Sequence, residues 1–391
     1  MAMISEHPSL SARTLLDRRA TGIEPFLERY TANFAFYGSG KAALYDGLAG
    51  LVTPGENVLV PAYLPDAVVE PFRDLGLEPR YYRVRETLAP DRADLAERLD
   101  DETAAVVTVD YFGFPQPELE AVASLLADRD CYHVDDNAHA PLSVDDGTLL
   151  GTRGHLGVTS LRKLLPIPDG AVLYCNDDSV AARLEPLSFA GVRDRFGVDD
   201  CRYVLESLAG DLLGTNATVR RAVERLVAER AVSVPDPKAR YEAAKTPMSR
   251  LSAAVVAAAD PTAIRRARRT NYLAWRRCFD SRSGVEAYHE TLPEGICPQV
   301  FPLRTGSPQR LVAALERCGV AAHTWPRLAA TVRDDPAYAV ARRLARETVV
   351  LPVHQGVDPI AIEAVDDRLR RRATTASRSA PRRSVPRERR R

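Results

Sequence analysis

The first half of the chain alternates short apolar runs with segments of helical spacing. Apolar runs of strand length are typical of strands buried on both faces of a sheet, and polar residues recurring between them are typical of covering helices. The predicted strands are 57–61, 79–84, 104–109, 131–135, 157–160 and 170–175, and the predicted helices are 41–51, 67–75, 91–99 and 118–127. This alternation predicts an α/β domain whose sheet is mostly parallel.

The second half has a different pattern, in which helical segments dominate. Residues 180–244 are predicted to be mostly helical, and 249–279 to form helices broken at Pro261. Strands are predicted at 300–304 and 346–352, and helices at 308–318 and 359–370. Because 391 residues exceed what one core usually organises, we predict a large α/β domain over 1–245 and a smaller α+β domain over 246–370.

Charge is distributed unevenly along a chain whose formal net charge is zero. Residues 371–391 contain nine Arg and one Glu, and are rich in Ser and Pro, which predicts a disordered tail. Without them the chain has 44 Lys and Arg against 52 Asp and Glu, a net charge of about −8. An acidic body argues against nucleic acid as the main partner.

Other composition features exclude several classes of protein. The longest apolar run is too short to span a membrane, and the N-terminus lacks the apolar stretch of a secretory signal. Six cysteines without C-x-x-C spacing predict reduced thiols and a cytoplasmic location. The seven histidines lack the spacing of metal ligands, so we expect no metal site.

Three clusters of polar residues stand at strand ends or helix starts, where open α/β sheets bind ligands. The first is Gly38-Ser39-Gly40-Lys41, at the start of a predicted helix. Glycines allow close approach of the backbone, and a helix N-terminus offers unpaired N–H groups to a phosphate. The alternative is an N-capping serine in an ordinary glycine turn.

The second cluster, residues 133–139 (HVDDNAH), ends a predicted strand. A carboxylate there can hold a ring nitrogen protonated, as a pyridoxal-phosphate (PLP) enzyme requires, or can be a solvated turn residue. The third cluster contains Ser160 and Lys163, and Lys163 is one of four lysines in the chain. An apolar setting shifts a lysine toward the nucleophilic neutral amine, although a solvated loop lysine is the alternative.

In the order of these motifs the sequence resembles the DegT/DnrJ/StrS family of PLP-dependent sugar aminotransferases of fold type I. The matching segments are 39–44 (SGKAAL), 60–63 (VPAY), 111–115 (YFGFP), 135–140 (DDNAHA), 160–171 (SLRKLLPIPDGA), 248–254 (MSRLSAA), 271–272 (NY) and 351–354 (LPVH). The segments are spread along the chain, so that the resemblance covers most of residues 30–370.

The resemblance implies a role for each matched residue. Lys163 would bind PLP as a Schiff base and shuttle protons, and Asp136 would pair with the pyridine nitrogen. His139, in place of the family's glutamine, would contact the ring hydroxyl. The phosphate would be held by Ser39, Gly40, the backbone N–H of Lys41, and Ser160. Related sugar dehydratases have histidine in place of the lysine, so Lys163 favours transamination.

The sequence also departs from the family at several positions. Leu64 and Pro65 replace the aromatic that stacks on the cofactor ring, and Tyr63 is the candidate substitute. Residues 243–248 lack the asparagine that reaches the neighbouring subunit's phosphate. The resemblance implies a homodimer that moves an amino group, with glutamate as donor, to a keto-sugar that is nucleotide-linked. The alternatives are a PLP-dependent lyase or other amino-acid enzyme, and a non-catalytic protein that binds a sugar or PLP.

Overall fold

The structure is a computed structural model that describes residues 3–10, 22–184, 187–213 and 237–379. The strands in these ranges are β1 (Phe34–Tyr37), β2 (Asn57–Pro61), β3 (Glu78–Tyr82), β4 (Thr103–Val109), β5 (Tyr132–Asp136), β6 (Val144–Asp145), β7 (Thr148–Leu149), β8 (Leu156–Ser160), β9 (Ala171–Cys175), β10 (Val285–Ala287), β11 (Val300–Thr305), β12 (His323–Thr324) and β13 (Thr348–Pro352).

The α-helices in the same ranges are α1 (Glu24–Leu27), α2 (Gly40–Ala49), α3 (Glu70–Asp74), α4 (Arg92–Arg98), α5 (Leu119–Leu126), α6 (Asp178–Ala181), α7 (Val198–Leu213), α8 (Pro237–Ala243), α9 (Arg250–Ala258), α10 (Pro261–Phe279), α11 (Pro308–Arg317), α12 (Ala330–Asp334), α13 (Ala339–Glu347) and α14 (Pro359–Ser379). Short 3₁₀ turns are Asp66–Val69, Tyr111–Gly113, Leu161–Lys163 and Pro336–Tyr338.

Within the described residues, seven strands form the larger sheet in the order β1-β9-β8-β5-β4-β2-β3. The five strands from β8 to β3 run parallel to one another, as the βα pattern predicts. β9 is antiparallel to both β8 and β1. Only residues 161–170 connect β8 to β9, and a parallel crossover needs a dozen or more residues, so this pair can form only a hairpin-like arrangement.

A smaller antiparallel sheet, in the order β10-β11-β13-β12, is built by the C-terminal part of the chain. The long helix α10 packs on this sheet through Tyr272, Trp275 and Phe279, which are buried in the same core as Phe301. The indole N–H of Trp275 donates to the carbonyl of Pro352 at 2.8 Å, which fixes the helix against the end of β13. The expected α/β and α+β parts are therefore both present.

The boundary expected near residue 245 stays a prediction, and the packing of α9 bears on it. Leu251, Val255 and Val256 of α9 share a core with Ile23 and Leu161, which belong to the N-terminal part. The helix that follows the expected boundary therefore packs against the large sheet's side of the molecule.

Two predicted segments reach the edge of the described residues. Of the helical segment predicted at 180–244, the structure describes α6, α7 and α8, and residues 214–236 lie outside the described ranges. The last helix continues beyond residue 370 to Ser379, into the tail that composition predicted to be disordered, because helix-favouring Arg and Ala residues follow directly. The remainder of that tail lies outside the described residues.

Among the described helices, none combines the length and the apolar character needed to cross a bilayer.

Candidate active site

A cavity of about 790 Å³ opens at the carboxyl ends of the parallel strands, where α/β sheets bind ligands. All seven residues predicted to bind a cofactor lie in its wall. They are Ser39, Gly40, Lys41, Asp136, His139, Ser160 and Lys163. The structure therefore brings together residues that are separated by as much as a third of the chain.

Lys163 ends a 3₁₀ turn that directly follows β8, with its side chain half-buried in the cavity wall. The pKa of Lys163 is lowered to about 8, chiefly by burial, with the Asp136 carboxylate raising it and the charge of Arg162 lowering it. A lysine with this pKa has a substantial neutral fraction near pH 8, so its amine can attack an aldehyde.

Asp136 is the last residue of β5, and its carboxylate is buried beside Lys163. Burial raises the pKa of Asp136, whereas the charge of Lys163 and a hydrogen bond from the Ala138 N–H lower it. That N–H donates to Oδ1 at 2.9 Å. The carboxylate is thus fixed by the backbone just after the strand and lies within electrostatic reach of the lysine.

His139 is buried on the same wall, and its hydrogen bonding defines its tautomer. The backbone N–H of Phe112 donates to Nδ1 at 3.2 Å, so the ring proton of neutral His139 is on Nε2. Burial, followed by the charge of Lys163, lowers the pKa of His139 well below 6.5. The imidazole ring of His139 also stacks on the ring of Phe112. It meets the Trp325 ring edge to face, and the centroids of these two rings are 5.1 Å apart. His139 is therefore a fixed, neutral N–H donor.

The glycine turn between β1 and α2 presents backbone N–H groups to the cavity. Ser39 caps α2, and its Oγ accepts from the Ala42 N–H at 3.2 Å. The first intrahelical hydrogen bond is made by Ala43, so the N–H groups of Gly40 and Lys41 precede it and are available to an anion. Among the described residues, a Cβ added at Gly40 would meet only Val158, at 3.5 Å, which leaves room beside the turn for a ligand.

The side chains of Lys41 and Ser160 contribute differently to the wall. The Lys41 ammonium pairs with the carboxylate of Glu70 on α3, so its charge is already partly compensated. Ser160 ends β8, three residues before Lys163, and its side chain is half-exposed toward the cavity.

The proposed role of Tyr63 as a substitute ring-stacking aromatic is wrong. Its side chain is fully buried, and its hydroxyl donates to the Trp325 carbonyl at 2.8 Å. The cavity wall contains Leu64, Pro65 and, from the C-terminal part of the chain, the Trp325 side chain. Sequence reasoning missed Trp325 because no motif lies near it, although tryptophan is rare in this chain.

Arg268 is a second residue that the motifs did not identify. Its side chain is only 1% exposed, and its guanidinium forms hydrogen bonds with neutral oxygens of three separate segments. The acceptors are the carbonyls of Lys163 (3.3 Å), Leu164 (3.0 Å), Pro298 (3.2 Å) and Gln299 (3.1 Å), and Oε1 of Gln355 (3.2 Å). This guanidinium therefore fixes the backbone of the lysine turn, which is residues 161–164.

The chain matches a known protein family and several solved structures. The model of the DegT/DnrJ/EryC1/StrS aminotransferase family matches residues 31–370. The aminotransferase TlmJ of Streptoalloteichus hindustanus is 23% identical, with a TM-score of 0.63, and the match covers 95% of this chain and 93% of that one.

Two further solved structures extend the comparison. A putative sugar aminotransferase of Streptococcus pneumoniae in its PLP form is 15% identical, with a TM-score of 0.67 over 95% of this chain and 99% of that one. A mutant of GDP-4-keto-6-deoxymannose-3-dehydratase with bound GDP-perosamine is 14% identical, with a TM-score of 0.65. That match covers 94% of this chain and 100% of the other. At such identities these likenesses establish the fold, which is fold type I as the sequence predicted.

We predict that Arg268→Met destabilises the protein by roughly 1.5–3 kcal/mol, because charge-assisted hydrogen bonds are lost and buried carbonyls are left unpaired. Hydrogen exchange at the amides of Leu164 and Leu165 should accelerate more than in the strands of the large sheet. Thermal unfolding and exchange mass spectrometry measure both effects. Arg266→Met, an exposed position on the same helix, is the control, and an equal effect there would contradict the assigned role.

Proposed function

Because this chain belongs to the DegT/DnrJ/EryC1/StrS aminotransferase family, whose cofactor is PLP, we propose that it transfers an amino group from glutamate to a keto-sugar. The acceptor we propose is nucleotide-linked. The neighbour that holds GDP-perosamine supports this choice, since it shares the fold over nearly the whole chain. The observation that carries the proposal is the meeting of Lys163, Asp136 and His139 in one wall of the cavity.

The donor set of the cavity is compatible with PLP. The turn at Gly38–Lys41 offers N–H groups and a helix N-terminus to the phosphate, and Gly40 leaves space there. Ser160 is placed to add a hydroxyl. Asp136 offers a carboxylate to the pyridine nitrogen, and the Nε2–H of His139 offers a donor to the ring hydroxyl.

When bound, PLP supplies an aldehyde that accepts the amino group and a ring that withdraws electrons from the reacting carbon. Lys163 then acts as the general base and acid through Nζ, which takes a proton from the substrate carbon and returns it in both halves of the reaction. Its pKa of about 8 lies close to neutrality, where such an exchange is efficient. Asp136 holds the ring proton, and the fixed, neutral His139 orients the ring without adding positive charge.

Lysine at position 163 also bears on the choice between transamination and dehydration. Nζ can bind a carbonyl carbon covalently, which the histidine of related sugar dehydratases cannot do in this way. We therefore favour an aminotransferase over a dehydratase, although the fold is shared with both kinds of enzyme.

A non-catalytic binding protein is the second candidate, and one observation favours it. The Ser39 hydroxyl donates to the Ala244 carbonyl at 3.1 Å, and the Gly38 N–H donates to the Thr246 carbonyl at 2.8 Å. Two polar groups of the turn are thus already paired within the chain. The PLP-dependent lyase remains the other enzyme alternative, and product analysis with amino-acid substrates distinguishes it.

We predict that the purified protein with PLP has a visible absorbance band that borohydride bleaches. Glutamate should replace this band with the ultraviolet band of PMP, and nucleotide-linked keto-sugars should restore it. Lys163→Ala should abolish the visible band, whereas Lys238→Ala, an exposed lysine, should keep it. A wild-type protein without a band at saturating PLP would instead support the binding-protein candidate.

The rate at which Lys163 captures PLP should depend on pH with a midpoint near 8. Below this pH the amine is protonated, so the rate should fall about tenfold for each further pH unit. The Asp136 carboxylate raises the lysine pKa, so Asp136→Asn should move the midpoint to lower pH. Stopped-flow absorbance measures the profile. Asp101→Asn, at an exposed site, should leave the midpoint unchanged, and a shift to higher pH in Asp136→Asn would refute the assignment.

We also propose a homodimer, as the family resemblance implies. Phe196, Val198 and Leu205 are 60%, 85% and 68% exposed, and a partner that covers them would remove an apolar surface from water. Sedimentation equilibrium should give about twice the chain mass of 43.0 kDa. A Phe196→Ser, Val198→Ser double variant should weaken association, whereas Ile360→Ser, also exposed, should not. A monomeric wild type would refute the dimer.

A further inference from the structure

The glycine turn provides hydrogen bonds for a phosphate but little free positive charge. Its own cation, Lys41, pairs with Glu70 on α3. The N-terminus of α2 contributes a partial charge of roughly +0.5. A phosphate monoester carries between −1.5 and −2 near neutral pH. The helix N-terminus therefore compensates only part of the phosphate's negative charge, and another cation close to the turn is needed to compensate the rest.

Among the residues that the structure describes, Arg193 is a cation that the fold brings next to this turn. Its Nη2 donates to Thr246 Oγ1 at 3.0 Å, and its Nε donates to the Pro247 carbonyl at 3.2 Å. The same Thr246 is in contact with Gly38: its carbonyl accepts the Gly38 N–H at 2.8 Å, and a Cβ placed at Gly38 would lie 2.9 Å from Thr246 Oγ1. One residue therefore separates the guanidinium from the start of the turn.

The backbone around Arg193 is fixed as well. The Arg193 N–H donates to the Met248 carbonyl at 2.9 Å, and the Met248 N–H donates to the Gly191 carbonyl at 2.9 Å. The Gly191 N–H in turn donates to the carbonyl of Phe36 in β1 at 2.7 Å. The segment that carries Arg193 is thus attached to the strand that leads into the turn, which limits the conformational entropy lost when the side chain binds a ligand.

The carboxylate beside Arg193 compensates its charge only in part. Asp169 Oδ2 is 3.4 Å from Nη2, a long contact. The same carboxylate accepts the Ser249 N–H at 3.1 Å and the Ser252 hydroxyl at 2.6 Å. Because its lone pairs are divided among several donors, Asp169 orients Arg193 more than it neutralises it.

Arg162 and Arg240 also line the cavity, but both are exposed residues. Arg193 differs from them because its side chain is 35% exposed and is oriented by Thr246, Pro247 and Asp169. An oriented guanidinium presents its planar donors to phosphate oxygens in a fixed direction.

We propose that Arg193 binds the phosphate group of the cofactor, as the cation of the site formed by the Gly38–Lys41 turn. This inference rests on the proposed function, since it takes PLP as the ligand. It assigns a role to residue 193, which belongs to none of the motifs that carry the family resemblance, and it explains how the turn accommodates a dianion although Lys41 is paired.

The test compares PLP with pyridoxal, which has the same ring and aldehyde but no phosphate. Dissociation constants for both are measured from the visible band in the wild type, Arg193→Gln, Arg193→Lys and the control Arg317→Gln. Arg317 is a surface arginine on α11 whose Nε also donates to a backbone carbonyl. Thermal unfolding of each variant reports on folding.

We expect Arg193→Gln to weaken PLP binding about 10- to 100-fold, which is the range for charge-assisted hydrogen bonds, and to change pyridoxal binding less than about twofold. Arg193→Lys keeps a cation without the planar fork, so it should retain part of the preference for PLP. Inorganic phosphate should compete with PLP in the wild type and compete less well in Arg193→Gln. Arg317→Gln should match the wild type throughout.

Equal weakening of PLP and pyridoxal would overturn the proposal, because it would assign Arg193 a structural role. Unchanged PLP binding in Arg193→Gln would overturn it as well, and would leave the guanidinium for another anion such as a substrate carboxylate. Failure of the proposed function is recognised separately, since the wild type would then give no band with either ligand, and the phosphate assignment would be refuted together with it.

Discussion

The lysine turn depends on a buried guanidinium that is surrounded by neutral oxygen acceptors. Arg268 lies on α10, yet its hydrogen bonds fix the carbonyls of Lys163 and Leu164 after β8. Burying a charge is costly unless its donors are all used, and here carbonyl dipoles from several segments carry that compensation. The same side chain also holds residues 298 and 299 before β11 and the amide of Gln355 after β13. The large sheet, the small sheet and the turn that carries Lys163 are therefore positioned against one charged group.

The electrostatics of the cavity follow from burial more than from the number of charges. Desolvation lowers the pKa of Lys163 and of His139, and it raises the pKa of Asp136. Each shift favours the neutral form, while the attraction between Lys163 and Asp136 opposes it for both partners. The result is a lysine near its titration point, a histidine with a defined tautomer and a carboxylate held by a backbone N–H. Local sequence cannot specify such a balance, because it depends on what the folded chain excludes from water.

The sequence predicted those parts of the structure that depend on local pattern. Buried parallel strands are continuous apolar runs, so β2, β4 and β5 were found with bounds close to those observed, and the polar residues that follow them led to Asp136 and His139. The antiparallel direction of β9 follows from the length of its connection, and pattern alone does not report it. Arg193, Arg268 and Trp325 were missed because their contacts lie far away in the sequence. Tyr63 was misassigned because its place in the sequence, next to the missing aromatic, does not show which way its side chain faces.

The hydrogen bond from Gly170 to Gly38, at 2.7 Å, and that from Gly38 to Thr246, at 2.8 Å, have a consequence for how the protein is made. A ribosome delivers the glycine turn early, but the residues that close on it are translated much later, and Arg268 emerges later still. Strands and helices of the N-terminal half can form as they leave the exit tunnel, yet the pocket they border stays incomplete until most of the chain is out. Such long-range closure slows folding. A chain that ended before residue 246 would consequently lack one of the segments that border the pocket.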